Sequence, residues 1–177
     1  MMKKAIMITW NGFQDQEVIY PYYRLKEDGF TVDIMAEKVG PITGLFGIKF
    51  DATYTTTDFQ YNDILNSFDI MVLPGGVKAL EKLRQESKVI ELIHQWNING
   101  KIIASTCHGA QLLISAKVVS GRDISGYYSI KDDIENAGGI YSYNGCVIDN
   151  NIISSPHYKY MGEWMHGALS EYYKRNK

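Results

Sequence analysis

The sequence predicts an α/β domain built on a mainly parallel sheet covered by helices on both faces. Three observations carry that reading: short apolar, β-branched runs alternate with helical patterns along the whole chain, glycine or proline punctuates the strand ends, and polar residues gather just after those ends. Strands buried on both faces read as continuous apolar runs, which these do. With 177 residues the chain fits one domain, 1–177, able to bury its own core without disulfides or a structural metal.

Lys4 to Thr9 is the first strand, stopped by Asn11-Gly12. From Gln16 to Asp28, the apolar residues Val18, Ile19, Tyr22, Tyr23 and Leu25 recur at helical spacing, with Pro21 in an early turn and Gly29 as the stop. Thr31 to Ala36 is a second strand. The glycine-, threonine- and aromatic-rich stretch 41–57 predicts extra strands in hairpin form. Phe68 to Leu73 is the next strand, closed by Pro74-Gly75-Gly76 and followed by two helical stretches that end near Gly100. Lys101 to Ser105 runs into Thr106-Cys107-His108-Gly109 and then the amphipathic segment Ala110 to Ala116. A helix over Ile130 to Asn136, strands with turns over Ile140 to Ser155, and a closing helix over Tyr158 to Lys174 complete the chain.

Composition narrows the partners. Hydrophobic residues make up 45% of the chain, charged residues 21%, and the formal net charge is −2, so no positive field exists to gather phosphates or anionic lipid. Nucleic acid and membrane are not expected partners. The basic opening MMKK is followed by too few apolar residues for a secretory core or a span, which predicts a cytoplasmic protein. A reducing compartment would keep Cys107 and Cys146 as thiols. No tight spacing among His94, His108, His157, His166 and the cysteines suggests a metal, and no phosphate-cradling loop or cofactor is expected.

In parallel sheets ligands bind beyond the carboxyl ends of strands, where Asn11–Glu17, Pro74–Gly76 and Thr106–His108 all fall. A cysteine on a sharp turn between a buried strand and a helix has the mechanics of a nucleophile elbow, and the helix N-terminus behind it is expected to favour thiolate over thiol. Cys107 has that context. Cys146, in Asn144-Gly145-Cys146-Val147, does not and is assigned to packing.

Taken in order, Asn11-Gly12-Phe13-Gln14-Asp15-Gln16-Glu17, Tyr20-Pro21-Tyr22-Tyr23-Arg24-Leu25-Lys26, Leu73-Pro74-Gly75-Gly76, Cys107-His108-Gly109-Ala110-Gln111-Leu112-Leu113, Ile130-Lys131-Asp132-Asp133 and Asn136-Ala137-Gly138 resemble the ThiJ/PfpI superfamily, and within it the intracellular peptidase-like branch. The resemblance implies a flavodoxin-like, doubly wound fold of the class I glutamine amidotransferase type. It also implies Cys107 as nucleophile, Glu17 as a carboxylic acid meeting its sulfur, and His108 as a neighbouring acid–base group. Gly75 and Gly76, with the His108 N–H, would form the oxyanion side. Tyr127, Pro156 and His157 would line or border the pocket.

The chain departs from the family pattern at three places. Leu80 stands where peptidase-like members carry a glutamate that a neighbouring subunit offers to the histidine, and Glu81 is one helical step, about 100°, away. Gln14 replaces a second acid, and Pro156-His157 replaces an arginine after Ser154-Ser155. The resemblance therefore implies a cofactor-independent cysteine enzyme adding its thiolate to a small carbonyl compound, in the manner of glyoxalase III and deglycases. A cysteine peptidase or amidase acting on peptides and a nonenzymatic redox-stress protein or chaperone remain alternatives, and an isocyanide hydratase is disfavoured because those members carry aspartate in place of Glu17. A homo-oligomer, dimer or larger, is also implied.

Overall fold

The structure, a computed structural model, describes residues 2–177. Its elements follow the predicted alternation. The strands β1 (Lys4–Ile8), β2 (Thr31–Ala36), β5 (Tyr54–Thr55), β6 (Ile70–Leu73), β7 (Ile102–Thr106), β10 (Val147–Asp149) and β11 (Ile152–Ser155) form one seven-stranded sheet in the order β10-β11-β7-β6-β1-β2-β5. Every pairing is parallel except that of the edge strand β10 with β11.

Residues of β6, β7 and β11 are buried throughout, as their apolar runs require of strands covered on both sides. Helices α1 (Asp15–Glu27) and α7 (Met161–Arg175) pack together on one side, while α3 (Val77–Leu83), α4 (Ser87–Ile98) and α5 (Ala110–Ser115) cover the other. Two buried indoles pin the layers: the Trp96 N–H of α4 donates to the Ile102 carbonyl at 2.9 Å and that of Trp164 on α7 donates to the Ile153 carbonyl at 3.2 Å. No helix among the described residues is long and apolar enough to cross a membrane.

The hairpin expectation over 41–57 is corrected in one part. β3 (Gly40–Thr43) and β4 (Lys49–Ala52) pair antiparallel, but Tyr54–Thr55 leaves the hairpin and joins the main sheet parallel to β2. Two short elements lacked a readable sequence pattern: α2 (Tyr61–Ser67), which buries only Ile64, and β8 (Asp123–Ser125), which pairs with β9 (Ile140–Ser142) off the main sheet. Helix α6 is shorter than expected, Lys131–Asn136, because Tyr128–Ile130 tightens into a 3₁₀ turn; Tyr158–Tyr160 does the same before α7.

The hairpin tip is tied down by Asp15 at the start of α1. Its buried carboxylate accepts the N–H groups of Phe46 and Ile48, each at 2.9 Å, while the Leu45 N–H donates to the Phe13 carbonyl at 2.9 Å. That holds Leu45 over the ends of β1 and β6.

The turn after β7 is equally constrained. A Cβ at Gly109 would lie 2.2 Å from the Leu73 carbonyl oxygen at the end of β6, closer than any nonbonded contact allows. Because backbone rather than a pliable side chain blocks the space, Gly109→Ala should destabilise the fold by at least about 2 kcal/mol. Denaturant unfolding with an unchanged midpoint would show that the β6–elbow approach is looser than described.

Candidate active site

The chain runs from β1 to β2 on one side and returns to β6 on the other, so the β1–β6 boundary is the switch point of the sheet. Beyond it three segments converge: the first turn of α1 with Glu17, the β6–α3 loop with Gly75 and Gly76, and the β7 elbow with Cys107. Glu17 is fully buried, with Gly75 lodged between its carboxyl group and Cys107. A Cβ at Gly75 would lie 2.5 Å from Glu17 Oε2 and 2.9 Å from the Cys107 Cβ, so only glycine fits there. The Gly75 N–H donates to Glu17 Oε2 at 2.7 Å, and its carbonyl accepts the Gln14 N–H at 3.2 Å, stapling the two loops together.

Cys107 has φ 56°, a left-handed conformation unusual for a side-chain-bearing residue and characteristic of a strand-to-helix elbow. It is 8% exposed, and the exposed part opens into a cleft of about 300 Å³. Gln14, Glu17, Gly76, His108, Tyr127 and His157 line that cleft with it, as do Leu45 from the hairpin tip, Val77 from α3 and Tyr158 from the turn before α7.

His108 stands beside the sulfur twice over. Its backbone N–H is a hydrogen-bond partner of the sulfur, and its ring Nδ1 lies 3.3 Å from Sγ. The other ring nitrogen, Nε2, lies 3.3 Å from Ser129 Oγ, and burial holds the imidazole below its ordinary pKa. Leu80 is fully buried in the core, and the exposed Glu81 borders a separate cleft with Arg84 and Gln111. Helix α3 therefore offers His108 no carboxylate from within this chain.

Electrostatics join Cys107 and Glu17 into one unit. Burial raises the Glu17 carboxyl to about 7, against the weaker downward pull of the Gly75 N–H and the Cys107 thiol. The same burial pushes the Cys107 thiol up, and a charged Glu17 pushes it further. This corrects the expectation of a helix-lowered thiol: burial and Glu17 raise it against the weaker pull of the His108 N–H, and the elbow leads only into a three-residue 3₁₀ turn and a six-residue helix. Above about pH 7 the pair holds one proton and one negative charge, and the sulfur carries that charge only when the proton resides on Glu17. Glu17 Oε1, buried and without a hydrogen bond among the described residues, is the carboxyl oxygen left free for that proton.

The other expected residues fall as follows. Gly75 cannot serve an oxyanion, because its N–H is engaged by Glu17. Gly76, at φ 110° and shut in by the backbone of Gly12, Phe13 and Gln14, lines the cleft, and its N–H meets no acceptor among the described residues. Tyr127 and His157 line the cleft, whereas Pro156 is buried behind it and is not on the wall. The Tyr127 N–H donates to the Cys107 carbonyl at 3.2 Å. Cys146 is half-buried and packs over Gly167, as a structural thiol would. Leu45, Val77, Tyr158 and Ser129 were not legible as site residues, since nothing in their sequence context tells that the hairpin tip and two 3₁₀ turns meet at the elbow.

A raised carboxyl pKa sets the sign of a stability effect. Glu17 folds at about 7 against an ordinary 4.5, so its burial costs nothing below pH 4.5, and stability is lost as pH rises from there through 7. Glu17→Gln keeps the acceptor for Gly75 and removes the charge. The variant should be more stable than the parent by about 3 kcal/mol at pH 8, with the difference vanishing towards pH 4.5. Equal stability of the two at pH 8 would mean that Glu17 ionises there without penalty.

Comparison with known proteins gives the family. The family model described as the DJ-1/PfpI family matches residues 3–171. Deglycase PfpI of Pyrococcus furiosus is 40% identical over 164 residues, covering 92% of this chain and 95% of that protein. A putative cysteine protease of Bacillus subtilis, YraA, is 31% identical over 88% of this chain and 89% of its own. Among solved structures, a two-domain protein from Anabaena variabilis with DJ-1/ThiJ/PfpI-like and ferritin-like domains superposes with a TM-score of 0.88 at 29% identity, covering 95% of this chain and 47% of that one. With the switch-point site, the elbow conformation and the family match over nearly its whole length in agreement, the chain belongs to the DJ-1/PfpI family.

Proposed function

We propose that this protein is a cofactor-independent cysteine enzyme whose Cys107 thiolate adds to small carbonyl compounds, with a deglycase- and glyoxalase III-like activity. The observation that supports this best is the buried Glu17–Gly75–Cys107 arrangement, which places a proton-bearing carboxyl beside the sulfur on the floor of a small cleft. The relatives named deglycase are in keeping with it.

With the proton on Glu17, the thiolate attacks the aldehyde carbon of a 2-oxoaldehyde. The C–S bond forms, the carbonyl π pair moves to oxygen, and that oxygen takes the Glu17 proton to give a hemithioacetal. The Glu17 carboxylate then removes the proton from the hemithioacetal carbon and returns it to the neighbouring carbon, while the hydroxyl proton passes to the neighbouring oxygen. The result is a thioester of the 2-hydroxy acid, which water cleaves to release the acid and restore the thiol. The sum is addition of one water, with no external oxidant or reductant. Gly76 N–H is the backbone donor available to a developing oxyanion, and the neutral His108, 3.3 Å from Sγ, can relay a proton to the water step.

Peptide hydrolysis fits less well. It requires an oriented histidine to protonate a poor amine leaving group, and His108 has a serine hydroxyl rather than a carboxylate on its far side. Purified protein should convert methylglyoxal to lactate without added cofactor, and Cys107→Ala and Glu17→Ala should each lower kcat/KM by at least about 100-fold. Cys107-dependent turnover of peptides or amides, with 2-oxoaldehydes untouched, would reverse the choice.

The pair also fixes a pH profile. Below about 7 both groups are protonated, and above it the pair carries the charge that makes thiolate accessible. Alkylation of Cys107 should therefore rise as pH passes through about 7 and then level off. In Glu17→Gln only the buried thiol of the pair is left to titrate, so the inflection should move upward past the ordinary thiol range. An inflection unchanged by that substitution would assign it to another group.

A further inference from the structure

We infer that the Cys107 cleft selects uncharged electrophiles bearing a flat apolar substituent and rejects those bearing a carboxylate. This deepens the carbonyl-addition reading above and takes its substrate class from it. The wall beside the sulfur is made of rings. His157 stacks on Tyr127 with centroids 5.8 Å apart and planes 26° from parallel, and it meets Tyr158 at 3.9 Å. Tyr127 in turn faces His108 at 4.9 Å. Leu45 and Val77 add aliphatic surface at the mouth, and both are substantially exposed, so this apolar rim faces incoming molecules rather than the core. A planar substituent finds offset ring faces here at little conformational cost.

Charge points the same way. Among the described residues, none of those lining the cleft is lysine or arginine. The nearby Lys78 and Lys159 are exposed to water, outside the lining, where screening weakens them. Burial keeps His108 uncharged, and burial together with Lys159 does the same for His157, so neither imidazole supplies the missing cation. The floor meanwhile carries the single negative charge of the Cys107–Glu17 pair. A carboxylate entering the cleft would lose hydration, find no counter-charge and meet a like charge.

Two measurements test this, and they fail separately from the catalytic reading. The first needs no turnover: alkylation of Cys107 by neutral iodoacetamide is compared with alkylation by anionic iodoacetate, and the ratio is set against that for glutathione at the same pH. The ratio at Cys107 should exceed the glutathione ratio by about tenfold or more, and His157→Arg, which puts a cation on the wall, should pull it back by at least about threefold. A wild-type ratio equal to that of glutathione overturns charge selection, whatever the variant does. The second compares substrates: kcat/KM for phenylglyoxal should exceed that for methylglyoxal, glyoxylate should fall below both, and Tyr158→Ala should erase the phenylglyoxal advantage. Glyoxylate turned over as well as the neutral aldehydes, or no advantage for the aryl substrate in the wild type, overturns the inference. Absence of turnover on every carbonyl instead overturns the catalytic reading and leaves the alkylation ratio to decide this one.

Discussion

A single backbone N–H, that of Gly75, holds the candidate site together. It donates to a carboxyl group that is fully buried, from a residue whose missing side chain is what lets Glu17 and Cys107 face each other. Each partner comes from beyond a different strand end, β1, β6 and β7, and these ends are neighbours because the strand order reverses between β1 and β6 while the strands stay parallel. Any larger residue at position 75 would drive the carboxyl and the thiol apart. The bond works against the cost of burying Glu17, and that cost is what raises its pKa into the range where it can hold a proton at neutral pH.

Around this bond the backbone is shaped by close approach. Cys107 adopts a left-handed conformation, and Gly109 lets the elbow press against the end of β6. The strained turn aims the sulfur outward while leaving only a small part of it exposed, and the surrounding contacts fix that conformation. A thiol so placed is shielded from bulk water and is not activated by a long helix. Its ionisation is coupled to where one proton sits, and that proton belongs to the pair rather than to either residue.

The cleft is completed by segments peripheral to the sheet. Asp15, two residues before Glu17 in the first turn of α1, fixes the hairpin so that Leu45 reaches the mouth, and the loop from Tyr127 is hydrogen-bonded to the elbow carbonyl. His157 and Tyr158 come from the turn that follows β11. The same fold core can therefore carry different walls, because the cysteine, carboxyl and glycine loop sit at three strand ends while the cleft walls come from segments that lean over them.

By itself, the sequence determined the alternation of strand and helix, the three strand-end motifs, the elbow position of Cys107 and, through the ordered motifs, the family and its doubly wound fold. These are local patterns, so they survive without coordinates: an apolar run, a glycine stop and a cysteine on a turn are each readable within a few residues. Short elements escaped for the converse reason, since α2 buries one residue and β8 owes its existence to pairing with β9. The proximity of Glu17 to Cys107 came through resemblance rather than spacing, because ninety residues separate them. Tertiary structure alone decided that the Gly75 N–H is engaged by Glu17, that Pro156 lies behind the wall, and that burial raises the thiol against the pull of the His108 N–H. It also decided that Leu45 and Tyr158 join the cleft. Each of those outcomes depends on burial and on contacts between distant segments, and such contacts are set by how the layers pack around one site.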